Sequence, residues 1–162
     1  MDATELTRGK LVAAACGVIL LLLMFWSWFD VSSVGGTDYS ARYAAADLDT
    51  TINAWQAFAF IDVILLLTAL AAIGAVVWTL VARGPAPVAP EAAIFFAGAL
   101  STLLLFFRIL DPVLDAGREP GLYLGFLAAA GITAGGWMAL QDSAAARRPR
   151  RRARPRPPSE SF

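Results

Sequence analysis

The chain has 162 residues, 58% of them hydrophobic and only 16% charged, with a formal net charge of zero. This balance excludes an ordinary soluble domain, because too little charge is present to build a polar shell around so much apolar mass. With one cysteine (Cys16) and no histidine, an internal disulfide and a Cys/His metal site are excluded as well.

Four apolar runs predict four helices. The first spans 11–29 and is interrupted only by Ser27. Arg8 and Lys10 precede it like the basic flank of a signal peptide, but the run is too long for one and no small-residue cleavage site follows. A lipobox reading of Ala13-Ala14-Ala15-Cys16 fails because the cysteine stands at the start of the run. The second run, 54–82, carries Asp62 as its only charge; the third, 92–110, ends near Arg108; the fourth, 122–140, has no charge. Each reaches the roughly 20 apolar residues needed to cross a hydrocarbon core about 30 Å thick. Backbone groups in lipid must be satisfied within the segment, so each run is expected to be helical.

Basic residues orient the runs. Arg8 and Lys10 lie before the first, Arg83 lies in the proline-rich link after the second, and seven arginines follow the fourth. The first connection, 30–53, sets Arg42 against Asp30, Asp38, Asp47 and Asp49; the third sets Arg118 against Asp111, Asp115 and Glu119. The expected fold is therefore all-α: an antiparallel four-helix transmembrane bundle in a bacterial plasma membrane, with both termini cytoplasmic. Residues 1–142 form the transmembrane domain, with 30–53 as its outer loop. In that loop Gly35-Gly36 signals a turn, and the segment from Tyr43 to Asp49 is a candidate helical turn. Residues 143–162 are expected to be a disordered Arg/Pro-rich tail.

Several stretches together resemble a family of uncharacterised four-span membrane proteins of high-GC Gram-positive bacteria. They are Asn53-Ala54-Trp55-Gln56-Ala57-Phe58, Arg108-Ile109-Leu110-Asp111-Pro112, and Gly121-Leu122-Tyr123-Leu124-Gly125 through Gly135-Gly136-Trp137. The resemblance covers about residues 10 to 142 and implies the same topology. It implies no activity, cofactor or catalytic residue, and where relatives carry two prolines this chain has Pro112-Val113.

Asp62 is the sharpest candidate for chemistry. In a continuous second helix it lies about 12 Å below the outer boundary, where an unpaired carboxylate is costly. Arg108 is its expected partner, with Asp111 nearby. The pair is either a ligand-binding or transporter-like polar site, or a structural ion pair that sets helix register. Trp26, Trp28, Phe29 and Trp55 are read as an interfacial aromatic belt. Gly131 and Gly135, four apart, form a small-residue face for packing within the bundle or for self-association, and Gly121 and Gly125 repeat the spacing. Arg147, Arg148, Arg150, Arg151 and Arg152 are expected to lie on anionic lipid headgroups. The partners expected are thus the bilayer, a second copy of the chain or another membrane protein, and no nucleic acid. No catalytic motif, metal site or cofactor site is present in the sequence, so the expected role is non-enzymatic.

Overall fold

The computed structural model describes residues 7–58, 60–81, 90–112 and 116–147. Most of these are helical, and three helices are long and apolar enough to cross a membrane: α4 (Ile61–Val81), α5 (Pro90–Leu110) and α6 (Pro120–Arg147).

The first helix, α1 (Arg8–Leu23), is shorter than the 11–29 run predicts. Thr7 caps its start, its Oγ1 accepting from the Lys10 amide at 3.4 Å. At 16 residues it is about 24 Å long. Beyond Leu23 the turns tighten, with Phe25 N donating to Leu22 O and Trp26 N to Leu23 O, and the chain becomes strand β1 (Ser27–Asp30). The Trp28 indole seals the change, its Nε1 donating to Leu23 O at 2.6 Å as a second donor beside the Trp26 amide.

The second run, expected as one helix over 54–82, is broken. A hairpin of β2 (Ser33–Val34) and β3 (Thr37–Asp38) turns on Gly35 and Gly36, both at positive φ, and is followed by short helix α2 (Ser40–Ala45) and β4 (Thr51–Asn53). A single helical turn, α3 (Ala54–Ala57), then starts on a capping box in which Asn53 and Gln56 exchange side-chain bonds with each other's backbone amides. Phe58 is extended, so the backbone leaves helical geometry before α4 begins.

α5 starts with Pro90 in its first turn and ends as expected at Leu110. α6 begins at Pro120 and runs past the predicted 140 to Arg147, through Ala144-Ala145-Ala146, strong helix formers that extend the helix into the expected tail. The remainder of that tail, with Arg148, Arg150, Arg151 and Arg152, lies outside the described residues, as do Arg83 and Asp115.

Around the bundle α1 packs on α4 and α6, and α5 packs on the same two helices. Close approach depends on glycine. A Cβ at Gly135 would stand 2.6 Å from Ala13 N, and one at Gly98 would stand 2.9 Å from Thr133 N. Hydroxyls tie the other seams: Thr68 meets Ser101 at 2.8 Å between α4 and α5, and Thr102 meets Thr133 at 3.2 Å between α5 and α6. At the end where α1 and α5 begin, Lys10 and Glu91 form an ion pair at 3.0 Å.

The opposite end carries a three-stranded antiparallel sheet, β4-β1-β5, with β5 at Gly117–Arg118. Its strands come from two separate connections, so the sheet ties the first loop to the third. β1 carries a bulge: Ser27 faces Asn53 while Phe29 faces Ile52, leaving Trp28 as the extra residue. Successive strand side chains normally point to opposite faces; the bulge lets both Trp28 and Phe29 bury completely. The pair is core, and of the expected aromatic belt only Trp26 is well exposed, at 59%.

Candidate functional site

Phe58 is the hub beneath the sheet. Its ring meets Trp28 edge-on at 5.9 Å and Phe29 edge-on at 5.8 Å, and the Arg108 guanidinium lies over it, 5.5 Å from the centroid. Arg108, in the last turn of α5, is thus held by an aromatic face in place of a carboxylate. The helix break is what brings Phe58 to that position.

Asp62 is buried, 8% exposed, but stands in the first turn of α4 and not deep within a continuous helix. Its Oδ1 accepts from the Val63 amide at 2.7 Å, at a helix start where an acid is favoured. Among the described residues the only ion pair is Lys10–Glu91, so Asp62 and Arg108 are not paired in this structure. Asp111 is exposed just past α5 and joins neither of them. The α5 carbonyls are instead covered by Arg118, whose Nε donates to Ile109 O at 2.7 Å and whose Nη2 donates to Leu110 O at 3.4 Å.

Gly131 and Gly135 both face α1 within the monomer, Gly131 against the Cys16 side chain and Gly135 against Gly9 and Ala13. Gly121 and Gly125 form the bed for Trp28; a Cβ at Gly125 would stand 2.7 Å from its ring. These faces are occupied by packing inside the chain.

A second site, outside the long helices, is built around Tyr39 and the short helix α2. Tyr39 N donates to Ser32 O at 2.7 Å, pinning the start of α2 to the hairpin, and Arg42 N and Tyr43 N both donate to Tyr39 O. Residues three and four apart share a helix face, so Tyr39, Arg42 and Tyr43 project together. The chain then reverses at Asp47 (φ 53), and Leu48 N donates back to Tyr43 O at 3.0 Å. With Val34 of the hairpin, these residues line a groove of about 470 Å³.

Short local bonds stiffen both flanks of this groove. Asp38 accepts from the Ser40 amide at 2.8 Å, and Asp49 accepts from the Thr51 amide and hydroxyl at 3.0 Å. The Ser40 side chain and amide at Asp38, and the Thr51 amide and hydroxyl at Asp49, favour the ionised forms and hold both carboxyls below the ordinary carboxylate range. Across known proteins, no family, no curated protein and no solved structure matches this chain.

Proposed function

We propose that the chain is a non-enzymatic interaction protein of a bacterial plasma membrane, crossing it four times with both termini in the cytoplasm and a folded head outside. The observation that carries this reading is the sheet shared by 27–30, 51–53 and 117–118. Two separate connections fold together at one end of an antiparallel helix ring, so that end is built as a surface. The basic flanks argue that the other end faces the cytoplasm.

α1 supplies the fourth crossing in this reading. Its 16 residues are extended by the tight turns through Trp26, and a modest local thinning of the bilayer accommodates the rest. Membership of the four-span family rests on the residue stretches quoted for it, and the arginines from Arg147 onward serve as a headgroup contact. Photoreactive residues placed at Ser40 and, as a control, at Ala144 test the role. Partner adducts from the native membrane that form at Ser40 and not at Ala144 support a recognition head; adducts confined to Ala144 contradict it.

A second reading is favoured by one observation, the buried Asp62 at the start of α4 just beyond a break in the second crossing. Discontinuous helices build ion and substrate sites in transporters, with Arg108 and Asp111 on the neighbouring helix end. A ligand-dependent thermal shift abolished by Asp62→Asn, in a protein that remains folded, would select this reading over the first.

A further inference from the structure

The groove between the hairpin and α2 has a definite chemistry. Tyr39 and Tyr43 offer two rings, Val34 and Leu48 an apolar wall, and Arg42 a cation. Leu48 is 60% exposed, an apolar side chain left uncovered on a polar loop. Among the described residues the Arg42 guanidinium and both tyrosine hydroxyls have no hydrogen-bond partner, and Arg42 has no ion-pair partner. We propose that this groove binds a singly charged organic acid with a ring-sized apolar body, its carboxylate on Arg42 and its ring between Tyr39 and Tyr43. The proposal rests on the reading of this end as the recognition head.

Each alternative charge state conflicts with the site. A cation would meet Arg42 directly. A neutral apolar body would cover Arg42 while leaving its charge unanswered, which is unfavourable. A polyanion would meet the ionised Asp38 and Asp49 on either side, together with Asp30 and Asp47 in the same loop. A single carboxylate matches the one guanidinium, which binds planar oxyanions with two parallel donors. The groove volume lies within the range of small-molecule sites. Tyrosine faces take either an aromatic ring or the apolar face of a sugar, so both classes of acid fit and the test separates them.

Full-length protein in detergent is titrated calorimetrically with 2-naphthoate and with glucuronate, each beside its neutral counterpart, 2-naphthylmethanol and glucose. At least one acid should saturate the protein, bind about tenfold or more tightly than its neutral partner, and lose about tenfold affinity in Arg42→Gln. Micelle partitioning is common to the wild type and the variant, so their difference isolates the groove. Arg42 is exposed and the substitution should leave the unfolding temperature unchanged; Tyr43→Leu should weaken the same acid. Failure of both acids to saturate, equal binding of the neutral compounds, or indifference to Arg42→Gln would each overturn the proposal. Binding in detergent does not depend on which side of the membrane the groove faces, so its failure is distinct from failure of the topology.

Discussion

The Arg108 guanidinium lies over the Phe58 ring, 5.5 Å from its centroid, and this contact joins the end of α5 to the break in the second apolar run. A cation–π pair of this kind contributes about 0.5–2 kcal/mol, rising as water is excluded. Phe58 also holds Trp28 and Phe29, so Phe58→Leu should destabilise by more than Arg108→Gln. A double-mutant cycle read by thermal unfolding in detergent should give a coupling of about 1 kcal/mol between them. Zero coupling, together with strong coupling of Arg108 to Asp62, would restore the charge pair expected from the sequence.

Glycine tolerance should divide by face. Gly125→Ala forces a methyl into the Trp28 ring and Gly135→Ala one into the α1 backbone, so each should cost about 1–3 kcal/mol as overpacking. Nothing stands within 4 Å of a Cβ at Gly74, and Gly74→Ala should be neutral or slightly stabilising. The comparison is read from unfolding midpoints of the three variants. Equal effects at all three positions would mean that α6 does not rest on α1 through its glycines.

The Lys10–Glu91 pair is largely buried, at 11% and 13% side-chain exposure. Removing one partner breaks the buried pair, which costs about 3–5 kcal/mol. Glu91→Gln should therefore be more damaging than the double change Lys10→Met with Glu91→Gln. Unfolding of the purified variants checks the order. The reverse order would show that the charges act independently.

Acid should loosen the flanks of the groove. Asp38 and Asp49 have folded pKa values below their ordinary 3.8, so their contribution is fully present above 3.8. It is lost as pH falls through the lower folded values. Protection of the Ser40 and Thr51 amides, as exchange rates divided by their intrinsic values at each pH, should fall in that acidic window and stay flat between neutral pH and about pH 5. In Asp38→Asn the pH response at Ser40 should disappear.

α5 and α6 were legible because long apolar runs bounded by Pro90 and Pro120 admit little but helices. The end of α1 was not. Trp26-Ser27-Trp28-Phe29 is as apolar as the helix before it, and only the pairing of β1 with β4 and β5 makes it a strand. Strands of two to four residues leave no periodicity to read, and one of them arrives from a connection far along the chain. Asp62 is legible as a buried acid, yet its distance along a supposed single helix misjudges its setting, because the chain leaves helical geometry at Phe58, whose ring packs on Trp28 and Phe29. The groove required the positive φ at Asp47 to return Leu48 to Tyr43, a fold-back that composition does not encode.

In the proposed topology short α1 crosses the membrane and sets the head opposite both termini. Single cysteines at Thr4, Ser40 and Ala86, in a Cys16→Ala background, can be treated with a membrane-impermeant maleimide in intact cells. Ser40 alone should label, with Thr4 and Ala86 reacting only after permeabilisation. Labelling of Thr4 together with Ser40 would mean that α1 does not cross, and labelling of Ala86 in intact cells would invert the orientation.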